Sequence, residues 1–351
     1  DEELGWVLKP GMKGLWQREG EAFVEINKEG WRDRYYPKTK PENTLRIALL
    51  GDSFTEAFQV SMEESFWEIM ESKLQEKCPK VEGKNVEVIN FGVRGYGTAQ
   101  ELILLRQQVW DYDPDLVILA FFIGNDLINN SPVLEYNKYR PFFVLQDGKL
   151  VADLSFRDLT PKEVNSSGLT TVDKLPAWLV NNSRILQVAK KVEMDYKLRM
   201  FSKEYDRLVK NNFRPPPDAV WQETWEVTEG LIALMAEEVE EKKADFFVVF
   251  IPDPKQVHYD RLDRLRYMRE NQIDDLLYPN KRVKDWGDRY GFPVIDLTER
   301  FQVYAEENEA CLHGFENSAL CVGHWNVEGH RLAARIIRKQ ICRQLTINNN
   351  N

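Results

Sequence analysis

The sequence predicts an α/β fold with an open, mainly parallel sheet, and three observations lead to this prediction. Short apolar runs at residues 44–50, 86–91 and 115–123 have the composition of buried strands. Each run ends in a turn that contains glycine, and segments with apolar residues at helical spacing alternate with the runs. Strands that alternate with helices form right-handed crossover units, so these strands are expected to lie parallel in one sheet.

The composition bounds the class of protein. The chain has 351 residues, of which 43% are apolar, so it can bury a large core. Its 57 acidic residues outnumber 47 basic ones, and a net charge of −10 without a basic stripe argues against nucleic-acid binding. No apolar run approaches the roughly 18 residues that span a bilayer. The chain starts at Asp1 rather than Met, which is compatible with removal of a leader or membrane anchor.

The first 50 residues contain an extension and the first strand. In residues 1–43, short alternating stretches are broken by glycine and proline, which indicates a β-rich N-terminal extension. The strand at 44–50 then ends at Gly51-Asp52-Ser53, and helical spacing follows to residue 77. A serine in this turn either caps the next helix or, if a base can reach it, acts as a nucleophile.

The main domain is predicted at residues 44–346, with an insertion at about 127–217 and a polar tail at 347–351. Within the insertion, Asp147-Gly148 predicts a hairpin turn, residues 177–209 are helical in pattern, and 211–218 form a loop. Insertions after strand ends lie where substrates bind in such folds, so this one is either a lid or a plain subdomain. The α/β pattern then returns, with strands at 245–251 and 292–297. Helical patterns occupy 220–243, 260–287, 298–307 and 326–345.

Four short motifs fall at predicted strand ends: Gly51–Ser53, Asn90 with Gly92 and Gly95, Gly124–Asp126, and the sequence GHWNVEGH at 323–330. Together and in this order they resemble the motifs of SGNH (GDSL-type) hydrolases, a superfamily of esterases, lipases and O-acetyl transfer enzymes. The resemblance covers roughly residues 44–129 and 219–345 and implies a three-layer α/β/α sandwich.

The resemblance also implies roles for individual residues. Ser53 would be the nucleophile, and its backbone N–H the first donor to the oxyanion. Gly95 would give the second N–H, with Gly92 as a close alternative, and the Asn125 side chain the third donor. Such donors stabilise the charge that develops when an ester is attacked.

His324 is the expected base, because His324-Trp325-Asn326 precedes the C-terminal helix as in the family pattern. His330 would lie inside that helix as a structural residue. His258 is expected at the surface, and His313 in loop packing or behind the catalytic residues.

The chain departs from the family at one position: Cys321 stands where an aspartate usually orients the histidine. The first interpretation, which we favour, is a Ser–His dyad in which the Cys321 carbonyl accepts from the ring. The second takes an acid from elsewhere, with Asp126, Asp253 and Asp296 near strand ends. The third is weakened or lost catalysis. A neutral orienting group stabilises an imidazolium less than a carboxylate does.

Four cysteines in a chain of 351 residues are too few to indicate a small fold held together mainly by disulfides. Cys311 and Cys321 are close enough to bridge a loop in an oxidising compartment, and buried free thiols are the alternative. A zinc site made of these two residues with His313 and His324 is a weaker hypothesis, because it would use the histidine that Ser53 needs.

The sequence therefore predicts a serine esterase that hydrolyses or transfers a small acyl group without cofactor or metal. The expected substrate is a small-molecule or polysaccharide ester, with O-acetyl on a carbohydrate as the first choice. The alternative is a catalytically weak or inactive carbohydrate-binding or scaffold protein on the same fold. The resemblance to exported members suggests an extracytoplasmic protein, periplasmic or tethered to a membrane.

Overall fold

A computed structural model describes residues 1–159 and 171–348 of the chain. Residues 160–170 of the predicted insertion and residues 349–351 of the predicted tail lie outside the described residues. None of the helices in the two described ranges is long and apolar enough to cross a bilayer.

The centre of the fold is a five-stranded parallel sheet, as the sequence predicts. Its strands, in chain order, are β3 (Thr44–Gly51), β4 (Asn85–Asn90), β5 (Leu116–Phe122), β8 (Asp245–Ile251) and β9 (Val294–Asp296). Their order across the sheet is β4-β3-β5-β8-β9. Two antiparallel hairpins lie outside it, one of β1 (Lys13–Trp16) with β2 (Ala22–Glu25) and one of β6 (Phe142–Gln146) with β7 (Lys149–Asp153). The second hairpin turns at Asp147-Gly148, so that prediction is confirmed.

Helices cover both faces of the sheet. In chain order the described α-helices are α1 (Ser53–Glu56), α2 (Phe66–Lys77), α3 (Thr98–Gln107), α4 (Asp126–Asn129), α5 (Ala177–Asn182), α6 (Arg184–Val209), α7 (Ala219–Glu241), α8 (Pro254–Val257), α9 (Arg261–Asn271), α10 (Tyr278–Tyr290), α11 (Thr298–Asn308) and α12 (Val327–Asn348).

The buried core has two parts because successive strand residues point to opposite faces of the sheet. Along β3, Ile47 and Leu49 face the core under α2, α11 and α12, whereas Ala48 and Leu50 face the core under α3, α7 and α10. All of these strand side chains are essentially inaccessible to solvent. This arrangement is the predicted three-layer sandwich.

Three predicted helical segments are divided in the structure, and one of them, at 177–209, is split at Ser183 into α5 and α6. Helical spacing after Ser53 predicted one segment to residue 77, but α1 ends after one turn because Ala57 adopts a left-handed conformation. The chain resumes at α2, where the Ser65 hydroxyl caps the helix. Similarly, residues 260–287 contain α9 and the start of α10, separated where Gln272 adopts a left-handed conformation.

Both pairs of cysteines form disulfides. Cys311 and Cys321 close the loop before α12, with Cα atoms 4.8 Å apart, so the bridged alternative is correct and the zinc hypothesis loses both of its thiolates. The second bridge joins Cys78, after α2, to Cys342 in α12, with Cα atoms 5.7 Å apart. No local pattern in the sequence indicates this bridge, because 264 residues separate its partners.

Candidate active site

Ser53 lies in the turn after β3, at the carboxyl edge of the sheet. A β carbon at Gly51 would lie only 2.3 Å from Thr55 Oγ1, so this turn requires glycine. The Asp52 carboxylate caps α1 by accepting from the Phe54 N–H at 2.9 Å. The alternative in which Ser53 itself caps the helix is therefore wrong, and its hydroxyl is left for another partner.

That partner is His324. Its Nε2 atom lies 2.8 Å from Ser53 Oγ, across 271 residues of sequence. The Phe54 ring packs against the imidazole, with ring centroids 5.0 Å apart. A β-bridge between His313 and Trp325 holds the loop that carries His324. The structure thus brings together the two residues that the motifs predict as nucleophile and base.

The other side of the imidazole faces Glu19, a residue that no sequence motif identifies. Its Oε2 atom lies 2.6 Å from His324 Nδ1, and its Oε1 atom accepts from the His324 backbone N–H at 2.7 Å. An ionised carboxylate only accepts hydrogen bonds, so Nδ1 carries the ring proton and Nε2 presents its lone pair to Ser53. The favoured interpretation, in which the Cys321 carbonyl orients the ring, is wrong.

The three aspartates proposed as substitute acids bond elsewhere. Asp126 accepts from the Phe122 N–H at 2.7 Å. Asp253 caps α8 through the Lys255 N–H at 2.8 Å. Asp296 accepts from the Asn280 side chain at 2.9 Å. Each carboxylate stabilises its own strand end or turn, so the second interpretation was right that an acid comes from elsewhere and wrong about which one.

Three residues position Glu19: Trp16, Asn317 and Gly323. Glu19 lies in the turn between β1 and β2, where the Trp16 indole donates to its carbonyl at 2.9 Å. The next residue, Gly20, forms two hydrogen bonds with the Asn317 side chain. That side chain accepts from the Gly20 N–H at 2.9 Å and donates to the Gly20 carbonyl at 2.8 Å. At Gly323, a β carbon would lie 2.1 Å from Glu19 Oε1, so only glycine leaves room for the carboxylate.

The electrostatics favour an ionised Glu19. Burial acts to raise the pKa of this carboxyl, but the hydrogen bond from His324, its positive charge when protonated and the Arg94 guanidinium outweigh burial. The net result holds the pKa of Glu19 below its usual range. At neutral pH the carboxylate can therefore stabilise an imidazolium that forms when His324 accepts a proton.

The predicted oxyanion donors lie on neighbouring turns. The N–H of Gly92 donates to Asn90 Oδ1 at 2.8 Å, so it is already engaged. Gly95 has φ +74°, and its carbonyl accepts from the Arg140 guanidinium at 2.8 Å. Within the described residues, the Gly95 N–H has no acceptor. Of the two candidates, Gly95 is the one whose donor remains available.

The Asn125 side chain is engaged in the structure. Its amide donates to Asp52 Oδ2 at 2.9 Å and to Asn129 Oδ1 at 3.1 Å. Burial raises the pKa of Asp52, which lies one residue before Ser53. Asn125 is thus linked to the residue next to the nucleophile, but one of its two bonds must break before its amide can serve an oxyanion.

The other histidines have structural positions. Burial lowers the pKa of His313 and of His330 to about 3, so both are neutral at physiological pH. His330 lies inside α12, as expected, and its Nδ1 atom accepts from the Phe66 N–H at 3.2 Å. His258 is half-buried rather than at the surface, and its Nδ1 atom accepts from the Asp260 N–H at 3.1 Å.

The predicted insertion reaches the carboxyl edge of the sheet. Tyr205, near the end of α6, donates to the Gly124 carbonyl at 2.9 Å, and Asn212 donates to the Ile123 carbonyl at 2.6 Å. Both contacts fall on the turn that carries Asn125, so this part of the insertion borders the candidate site.

A serine, a histidine and a carboxylate joined in series at the edge of a parallel sheet are the arrangement of serine-dependent hydrolases. Residues 49–332 match the GDSL-like Lipase/Acylhydrolase family, and the chain belongs to that family. The resemblance to SGNH hydrolases is thereby confirmed, as is the fold class.

Several solved structures are similar to the chain. The acetyl xylan esterase AlAXEase is 14% identical, with coverage of 84% of this chain and 99% of the other and a TM-score of 0.41. A catalytic mutant of Axe2, an acetylxylan esterase from Geobacillus stearothermophilus, is 13% identical, with coverage of 84% and 93% and a TM-score of 0.41. A putative lipolytic protein of the G-D-S-L family from Desulfitobacterium hafniense is 10% identical, with coverage of 84% and 98% and a TM-score of 0.38. No curated protein sequence matches the chain.

Proposed function

We propose that the chain is a serine esterase or acyltransferase that acts on a small acyl ester through Ser53, His324 and Glu19. The observation that carries the proposal is the hydrogen-bonded series from Ser53 Oγ to His324 Nε2, at 2.8 Å, and from Nδ1 to Glu19 Oε2, at 2.6 Å. An alternative scaffold protein would gain nothing from this alignment.

In the proposed reaction, Ser53 Oγ attacks the carbonyl carbon of the ester while its proton moves to His324 Nε2. The oxyanion that forms is stabilised by the N–H groups of Ser53 and Gly95, and by Asn125 once its bond to Asn129 is released. The carbon–oxygen bond to the alcohol then breaks, and His324 gives its proton to the departing oxygen. A water molecule, or an acceptor hydroxyl, attacks the acyl-enzyme by the same steps in reverse.

The natural substrate that we propose to test first is an O-acetyl ester of a carbohydrate. Hydrolysis and transfer use the same residues and differ only in whether water or a sugar hydroxyl attacks second. Release of acetate in water, compared with transfer to added acceptor sugars, separates the two reactions.

The proposed nucleophile is tested with p-nitrophenyl acetate and a fluorophosphonate probe that bonds to activated serines. We expect the wild type to hydrolyse the ester and to be labelled by the probe. Ser53→Ala should show neither hydrolysis nor labelling. Ser61→Ala is the matched control, because the Ser61 hydroxyl donates to Glu64 and not to the site. Equal activity of Ser53→Ala and wild type, or a wild type that neither hydrolyses nor is labelled, would refute the proposal.

We also propose an extracytoplasmic location, supported by two disulfides that use all four cysteines. Disulfides persist in oxidising compartments and are rare in a reducing cytosol. Alkylation of freshly isolated native protein under denaturing conditions should modify no thiol, whereas four modified thiols would contradict this location.

A further inference from the structure

Arg94 is a half-buried arginine beside the candidate site, and its guanidinium has no hydrogen-bond or ion-pair partner among the described residues. The guanidinium lies instead over an aromatic ring, with Arg94 Cζ 4.7 Å from the centroid of the Trp16 ring. Stacking holds a guanidinium in place and leaves the donors at its edge open. The N–H groups of the Arg94 guanidinium are therefore available to donate to a ligand.

The backbone of Arg94 is fixed next to the predicted oxyanion donor. Its N–H donates to Glu56 Oε1 at 3.2 Å, and its carbonyl accepts from the Trp6 indole at 3.1 Å. The next residue along the chain is Gly95. The Trp16 ring, on which the guanidinium stacks, in turn donates to the carbonyl of Glu19. Arg94 is thus tied to both the oxyanion turn and the hairpin that carries the acid.

The neighbouring carboxyls, Glu19 and Glu56, form no hydrogen bond with the Arg94 guanidinium in the part of the chain that the structure describes. Both oxygens of Glu19 bond to His324. Glu56 is buried, and burial raises its pKa to about 7 in spite of Arg94 and Arg32. Near neutral pH it therefore carries only part of a negative charge, and its bond runs to the backbone of Arg94 rather than to the side chain.

We propose that Arg94 binds a carboxylate on the substrate, so that the preferred ester carries a negative charge close to its acyl bond. This inference rests on the proposed function and names the substrate class of the same site. The planar fork of arginine matches the two oxygens of a carboxylate, and such charge-assisted pairs are stronger than neutral hydrogen bonds. A neutral acetyl ester would use the same catalytic groups without this contact.

The test compares esters of nearly the same size and shape that differ in charge: meta- and para-acetoxybenzoate against the corresponding acetoxybenzamides, with the uncatalysed hydrolysis of each ester as the reference for its intrinsic reactivity. The two positions place the carboxylate at different distances from the ester. We expect the wild type to favour one anionic ester over its amide by roughly tenfold or more in kcat/KM, as a hydrogen bond to a charged group allows. In Arg94→Met this ratio should fall to about that of the uncatalysed reactions, and Arg94→Lys should keep part of the preference.

Arg18→Met is the matched control. The Arg18 guanidinium also lies over Trp16, at 5.9 Å, but it is exposed to solvent, so the variant should keep the wild-type ratio. An unchanged ratio in Arg94→Met, or no preference in the wild type at either position, would overturn the proposal. A parallel fall on charged and neutral esters would also overturn it, because Arg94 would then act on Glu19 instead of on the substrate.

A binding measurement separates this inference from the proposed reaction. Ser53→Ala cannot form an acyl-enzyme, and calorimetry can compare its affinity for each acetoxybenzoate and its amide. Preference for the anion that disappears in the Ser53→Ala, Arg94→Met double variant would support the carboxylate subsite even if the wild type turned over neither ester. Equal affinities in both proteins would refute the subsite even if Ser53 proved to be the nucleophile.

Discussion

Of the three residues in the proposed series, Glu19 is the one that the sequence reveals least. Ser53 and His324 are recognisable because each belongs to a motif with a fixed place at a strand end or before a helix. Glu19 belongs to no such motif, is one of 57 acidic residues, and lies 305 residues before the histidine it contacts. The one available signal was negative: Cys321 stands where an acid was expected.

Glu19→Gln should leave the fold intact and reduce kcat by roughly 10³–10⁴, the scale of the tautomer effect in serine proteases. A glutamine amide would donate to Nδ1, so the ring proton would move to Nε2 and His324 could no longer accept a proton from Ser53. Steady-state kinetics on p-nitrophenyl acetate measures the effect. Glu21→Gln is the control, since Glu21 lies in the same turn and, among the residues that the structure describes, its side chain bonds only to the exposed Gln17 side chain. A Glu19→Gln enzyme with wild-type kcat would show that the acid is dispensable.

At the scale of elements, the hairpin β1–β2 and the loop closed by Cys311–Cys321 form one unit. Asn317 lies between the two cysteines and forms two hydrogen bonds with the backbone of Gly20, the residue after Glu19. Gly323 and His324 lie two and three residues after Cys321. The bridge therefore holds the loop that must meet the hairpin on one side and Ser53 on the other.

The two disulfides should consequently differ in what their removal changes. In the chain-entropy model, a bridge that closes a loop of about 10 residues stabilises by about 3 kcal/mol or less, whereas one that closes more than about 100 residues stabilises by about 5 kcal/mol. We expect Cys78→Ser with Cys342→Ser to lower the urea midpoint more and to retain kcat. Cys311→Ser with Cys321→Ser should instead lower kcat, by roughly tenfold.

Urea unfolding and ester kinetics on the two double variants, each compared with wild type, measure both effects. If removal of the Cys311–Cys321 bridge left kcat unchanged, the loop would be held by Asn317 and the hairpin alone. Equal losses of stability in the two variants would contradict the loop-length argument.

Apolar pattern predicted most of the elements, because the strands of a sheet covered on both faces are short and nearly all apolar. The ends of the predicted helices were less accurate. Ala57 and Gln272 end helices because each adopts a left-handed conformation, which alanine and glutamine do not favour, so their residue types do not predict it. The roles of Asn317 and Gly20 depend on contacts between distant elements, which no local pattern contains.

At the scale of the whole molecule, buried carboxyls near the carboxyl edge of the sheet affect stability. Glu101 is fully buried, and neither of its oxygens has a partner among the described residues. Burial, together with the charge of Asp52, raises the pKa of Glu101 well above its usual value, against the opposing effect of Arg140. The folded protein therefore holds a proton at Glu101 that the unfolded chain releases as pH rises.

The sign of this effect follows from linkage. A group whose pKa is raised by folding contributes its stability below its unfolded pKa and loses that contribution as pH rises through the folded pKa. Glu101→Gln cannot ionise, so its melting temperature minus that of wild type should increase between about pH 5 and about pH 8, by at least about 2 °C. Glu82→Gln, at an exposed position, is the control and should show no such trend. A constant difference for Glu101→Gln across this range would contradict the raised pKa of Glu101 in the folded protein.

The position of Glu19 also sets the order in which the site is completed. During synthesis the hairpin leaves the ribosome first, and its partner His324 follows only after more than 300 further residues. A chain shortened to residues 49–332, the range that matches the family, would keep Ser53 and His324 and begin after Glu19. Such a fragment would carry every motif by which the family is recognised and would lack the carboxylate that orients its base.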